Sequence, residues 1–356
     1  MRPAHPHSVL LALSLLAACR GQQEREQADT AVASSDGTAL PGLRSAASLP
    51  GLRPFALPES VGASSPALAR SSEGVVLAWM RDLGEPSVVV ATLAEDGEQW
   101  LESQVVSAGA RILINWADVP AIGETASGRL VIAWPEHHGD DPVAGYGLRV
   151  VAATDVGGFA PPWSPDDVRR GPESGFAAFA MSGDALQLIW LDGRDLHGGG
   201  HGDHGSGGGT MALRSVAIDD EGRQQGPSQI LDARTCECCK LGVGVLGTQA
   251  FAAYRDRSEA EVRDIFVAGP GLSPTPVAAD GWTITGCPVN GPAVAVAGEQ
   301  AFVAWYTGAN DASATWIARA RTLDGFAAPP RFDLGLPGGR VDLLPLADGG
   351  ALIPWL

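Results

Sequence analysis

Apolar and polar positions alternate along the chain in short runs, and the runs recur. Val75 to Trp79, Leu130 to Trp134, Leu186 to Trp190, Ala250 to Tyr254, Ala301 to Trp305 and Ala351 to Trp355 are each an apolar stretch closed by an aromatic residue. The aromatic spacings are 55, 56, 64, 51 and 50 residues. Self-similarity at such a period marks a repeat architecture. A second apolar run precedes most copies: 66–69, 119–122, 243–245 and 292–296. A third follows, at 87–93, 146–153, 211–218, 264–268 and 315–321. The third runs end in turns such as Asp96-Gly97, Glu221-Gly222 and Asp324-Gly325. A weaker fourth stretch leads into the next copy.

Short runs rich in Val, Ile and Ala and bounded by Gly, Pro and Asp read as strands. Four strands per repeat of ~50 residues predict the blade of a β-propeller. The expected fold is therefore all-β, with six four-stranded blades and seven as the alternative count. The closing aromatic reads as a wedge between blades, since buried aromatics dominate core energetics. The sixth copy stops at Trp355-Leu356. The last blade thus reads as incomplete and the chain as a fragment, because an open strand edge invites aggregation.

The N-terminus has a different pattern. Ser8 to Ala18 is an apolar run too short to span a bilayer at ~20 residues per helix. It reads as a signal-peptide core. Leu16-Ala17-Ala18-Cys19 resembles the bacterial lipobox, which implies a diacylated Cys19. The expected organisation is a signal peptide at 1–18, a lipidated Cys and flexible tether at 19–50, and the propeller at 51–356. That places the protein in the cell envelope, lipid-anchored at the outer membrane or periplasmic face. The lipid is then the only membrane contact.

Composition narrows the function classes. Gly (46) and Pro (26) are too frequent for a coiled coil or helical bundle, and 45% hydrophobic residues are too many for a disordered chain. Lys plus Arg is 24 against 41 for Asp plus Glu, a net charge of −17. Nucleic-acid binding needs a basic footprint, so it is not expected.

In a propeller, the residues after each wedge and before each first strand crowd one face around the axis. Asn115, Asp118, Glu136, Asp192, Arg194, Arg255, Asp256, Arg257 and Asn290 fall at these positions and predict a polar binding funnel. The partner is expected to be a small-molecule, glycan or protein ligand. Cys236, Cys238, Cys239 and Cys287 lie on two such segments. Outside the cytoplasm they predict disulfides, one of the cluster bonding to Cys287 across neighbouring blades. The competing reading is a thiolate site for Cu or Zn. The Gly-rich insertion carrying His197, His201, Asp203 and His204 is a second metal candidate, which His137 and His138 could join.

Glu95-Asp96-Gly97-Glu98-Gln99-Trp100 and Thr154-Asp155-Val156-Gly157-Gly158-Phe159 resemble the Asp-box hairpins of the sialidase superfamily. Thr235-Cys236-Glu237-Cys238-Cys239, Tyr254-Arg255-Asp256-Arg257, Arg263-Asp264-Ile265 and Gly286 to Pro292 resemble stretches of bacterial sialidase-like propeller lipoproteins. The resemblance implies the fold and the location. It would also imply an Arg triad, a Tyr nucleophile with its Glu, and an Asp acid/base. The Arg-Ile-Pro of the first Arg is absent, and Tyr254 occupies a wedge position. The catalytic pair is therefore unassigned. The leading expectation is a lipid-anchored propeller that binds a ligand in its funnel, with metal help as an option. An exo-α-sialidase-type glycoside hydrolase is the alternative, and a periplasmic copper- or zinc-handling protein the second.

Overall fold

The computed structural model describes residues 59–140, 145–165, 171–196, 209–284, 286–333, 335 and 337–355. The signal segment, Cys19, the tether, and His197, His201, Asp203 and His204 lie outside the described residues.

The strands fall into six antiparallel sheets, each built from strands consecutive in the chain. Sheet one contains β1 (Ala63–Ser71), β2 (Gly74–Asp82), β3 (Pro86–Thr92) and β4 (Gln104–Ala108). Sheet two contains β5 (Ala121–Glu124), β6 (Leu130–His137) and β7 (Tyr146–Ala152). Sheet three contains β8 (Ser174–Ser182), β9 (Ala185–Asp192), β10 (Met211–Ile218) and β11 (Gln224–Thr235). Sheet four contains β12 (Gly242–Leu246), β13 (Gln249–Arg255), β14 (Ile265–Gly269) and β15 (Leu272–Pro276). Sheet five contains β16 (Ala293–Ala297), β17 (Gln300–Thr307) and β18 (Ala314–Ala320), and sheet six the short pair β19 (Leu344–Pro345) and β20 (Ala351–Leu352). The first strands touch in succession: β1 with β5, β5 with β8, β8 with β12, β12 with β16 and β16 with β19. Sheets stacked side by side around their first strands make a β-propeller. Three of the six sheets have four strands among the described residues; the others have three, three and two.

The recurrent apolar run is the second strand of each sheet. It is apolar at nearly every position because the inner sheets are covered on both faces. In β9, Leu188 and Trp190 join a core with Val131, Ala133, Leu148 and Val150 of sheet two. The intervening Ile189 and Leu191 join Ala252 and Tyr254 of sheet four. The wedges follow one rule. Trp134 packs against sheet one, Trp190 against sheet two, Tyr254 against sheet three and Trp305 against sheet four. All four are fully buried. Each aromatic therefore closes the gap to the preceding sheet, and that contact fixes the spacing of the ring.

Candidate functional site

Antiparallel pairing brings the start of each first strand to the same end as the finish of each second strand. The polar segments named from the sequence share this loop face. What they do there differs from one sheet to the next.

The segment leading into β5 holds the most open chemistry. The Asn115 side chain accepts a hydrogen bond from Ala117 N at 2.8 Å, and its carbonyl accepts one from the Ser65 hydroxyl at 2.7 Å. This turn projects Trp116, which is 68% exposed. Arg340, on the segment leading to β19, lies 4.7 Å from the centre of the Trp116 ring. Asp118 is turned inward and only 1% exposed. Its Oδ1 accepts a hydrogen bond from Phe176 N at 2.9 Å, while its buried Oδ2 has no hydrogen-bond partner among the described residues. Two backbone features create this niche. A Cβ at Gly175 would overlap Asp118 Oδ2, and Phe176 has a φ of 54° inside an irregular stretch of β8. Burial pushes the Asp118 carboxyl up to about 7, against the hydrogen bond from Phe176; the nearby Glu173 carboxylate adds to the rise. Beside it, Tyr146 donates a hydrogen bond to the Glu173 side chain. Burial and the two carboxylates push the Tyr146 hydroxyl upward. Two carboxyl groups and a phenol thus converge between sheets two and three, at the segment that carries the exposed Trp116.

Elsewhere the funnel candidates are tied to each other. Arg194 Nε and Nη2 bond both oxygens of Asp192 at 2.7 and 2.6 Å, and Trp190 Nε1 donates to the same carboxylate at 2.9 Å. Arg255 is buried. It donates to the carbonyls of Arg263, Asn290 and Tyr306 at 2.6 to 2.8 Å and stacks 4.9 Å from the Trp282 ring centre. Arg257 pairs with Glu237 and Glu261. Asp256 is pushed up to about 6, chiefly by burial. The expected funnel role of Asp192, Arg194, Arg255 and Arg257 gives way to loop cross-linking, because their polar atoms already have protein partners. The Asn290 carbonyl serves Arg255, and its side chain crowds Gly339.

Glu136, His137 and His138 line a pocket with Arg111, Arg149 and Ser164. Glu136 lies 3.7 Å from Arg111 and 3.3 Å from Arg149. Arg111 and Arg149 bring two positive charges to this pocket against the one carboxylate of Glu136, which disfavours the metal role expected of His137 and His138.

The four Cys between sheets four and five come together. Cys238 and Cys287 form a disulfide, as the spacing across neighbouring repeats predicts, and Cys236 and Cys239 are free and buried. Cys236 Sγ lies 3.6 Å from Cys239 Sγ and 3.4 Å from Cys287 Sγ. Arg263, itself buried, donates to Cys236 Sγ at 3.0 Å. The Cys239 hydrogen bond, with Arg263 and Arg255, draws the Cys236 thiol down to about 7 despite burial. Burial pushes the Cys239 thiol up.

The residues of this cleft absent from the sequence-derived set are Trp116, Arg340, Tyr146 and Glu173. Trp116 carried a signal: it is a Trp outside the wedge spacing. Glu173 carried none, since its role depends on the approach of Tyr146.

No family model and no curated protein matches the sequence. Among solved structures, the BP39L lectin from Burkholderia pseudomallei aligns over 82% of this chain and 80% of its own, with a TM-score of 0.55 at 12% identity. A protein of unknown function from Dyadobacter fermentans aligns over 84% and 95%, with a TM-score of 0.51 at 13% identity. The GH93 α-L-arabinofuranosidase of Fusarium graminearum, in complex with arabinobiose, aligns over 83% and 92%, with a TM-score of 0.47 at 13% identity. At these identities the likeness is one of fold.

Proposed function

We propose that this propeller is a glycan-binding protein whose site lies on the loop face around Trp116, held at the cell envelope by a lipid on Cys19. The exposed Trp116 ring with the Arg340 guanidinium against it carries the reading. An apolar ring face stacks on the C–H face of a sugar, and a guanidinium supplies hydrogen-bond donors to hydroxyls or a carboxylate. The lectin among the fold neighbours supports a sugar as the ligand class. The test is binding of the full chain to a glycan array, followed by calorimetry on each hit. Trp116→Ala should weaken any hit at least ~10-fold without lowering the melting temperature. Binding to no glycan, or equal binding by the variant, would remove the reading.

A second reading rests on Asp118, Glu173 and Tyr146. A carboxyl with a raised pKa near a second carboxyl group is the pairing that glycoside hydrolysis uses as acid and base or nucleophile. Turnover of chromogenic glycosides by the wild type, abolished in Asp118→Asn, would convert the binding site into an active site. No turnover leaves a lectin-type function.

A further inference from the structure

The sulfur cluster belongs to neither reading. Cys236 and Cys239 lie between β11 and β12, and Cys287 lies between β15 and β16. The cluster therefore joins the segments leading into sheets four and five. The sulfurs of Cys236, Cys239 and Cys287 all lie within 4.8 Å of one another, at separations of 3.4, 3.6 and 3.9 Å. The circle through three such points has a radius of about 2.1 Å, so a cation bonded at ~2.3 Å sits a little under ~1 Å out of their plane. Three ligands of a tetrahedral ion place it at almost the same height. Arg263, itself buried, donates to Cys236 Sγ at 3.0 Å. Buried anionic sulfur needs such donors and countercharge. Glu237 is held by Arg257.

We propose that Cys236, Cys239 and Cys287 form a thiolate site for a soft closed-shell cation, Zn²⁺ or Cu⁺, and that the Cys238–Cys287 disulfide is its oxidised, metal-free state. Two thiol molecules would open the disulfide. Their two electrons and two protons convert it to the Cys238 and Cys287 thiols, and the reductant leaves as its own disulfide. The cation then displaces the ligand protons. A small-molecule disulfide reverses the step: it accepts the two electrons, leaves as two thiols, and reforms Cys238–Cys287, which takes Cys287 out of the set and releases the ion. The inference is independent of any ligand at Trp116.

The experiment uses the full chain, reduced with a phosphine and desalted without oxygen. Zn²⁺ is titrated against a chromophoric chelator and, separately, Cu⁺ against bathocuproine disulfonate. The expected result is one equivalent of one ion, with ultraviolet thiolate-to-metal absorption saturating at the same point; the ion that wins identifies the metal. The unreduced protein should bind more than ~100-fold more weakly, beyond the range for losing a mere outer-shell partner. Cys236→Ser and Cys287→Ser should do the same after reduction. Cys238→Ala keeps all three ligands and frees Cys287, so it should bind the ion without reductant. Binding of neither ion by reduced protein with four titratable thiols would overturn the proposal. So would undiminished binding by Cys287→Ser, or no binding by a Cys238→Ala variant whose melting curve shows it folded.

Discussion

Two clefts on the loop face occupy equivalent places in the fold and contain different arrangements of polar groups. Between sheets four and five, Arg255 is engaged by three carbonyls and an indole, and Arg263 by sulfur and carboxylate, although the buried Arg263 Nε and Glu237 Oε2 have no hydrogen-bond partner among the described residues. Between sheets two and three, a buried carboxylate oxygen has no hydrogen-bond partner among the described residues, and an indole faces solvent. The first cleft is dense in cross-links that hold loops together. The second pairs an unpartnered carboxyl oxygen with an exposed indole. The same inter-sheet position thus serves as a brace in one place and as a receptor in the other.

The largest expected effect is in the brace. Arg255→Met removes the buried donor to three carbonyls and should cost roughly 3–5 kcal/mol in denaturant unfolding. A cost under ~1 kcal/mol would mean that water takes over those carbonyls and that the brace is not structural. The next effect concerns pH. The folded Asp118 holds its proton more tightly than the unfolded chain does, with its carboxyl at about 7 against 3.8. Stability from this group is complete below pH ~4 and is lost as pH rises through about 7, by at most ~4 kcal/mol. Asp118→Asn should flatten that part of the stability–pH curve, and an unchanged slope would show that the carboxyl is hydrated. Third, Gly175→Ala places a methyl against the Asp118 carboxylate and should cost roughly 1–3 kcal/mol by overpacking. Combined with Asp118→Ala, it should cost much less than the two changes added together. The smallest effect on stability is that of Trp116→Ala, within about 0.5 kcal/mol by thermal melting, as befits an exposed receptor residue.

The strands were legible because a blade buries both faces of its second strand. The apolar run closed by Trp or Tyr is thus a direct record of two covered surfaces. The runs at 87–93 and 211–218 coincide with β3 and β10 within a residue, for the same reason. The site was half legible. Asp118 and Asn115 stand out at a first-strand entrance, but the burial of Asp118 depends on Gly175, 57 residues later, and on the turned backbone of Phe176. No local pattern encodes that encounter. Arg255 and Asp192 look identical in sequence whether they face a ligand or a neighbouring loop. Only the positions of the Asn290 carbonyl and the Trp190 indole decide between the two. Likewise, neighbouring repeats predict a partner for Cys287, but the choice of Cys238 over its two neighbours depends on side-chain direction at a turn.

The staggered cores also govern how the molecule comes apart. Leu188 belongs to one cluster and Ile189 to the next, so pulling away one sheet exposes apolar surface on both its neighbours. No sheet in the middle of the series can open as an autonomous unit. Amide protons of β6, β9 and β13 should therefore exchange with solvent in a single concerted event, so that protease cleavage after a sub-global opening yields joined multi-sheet fragments instead of a ladder of single repeats.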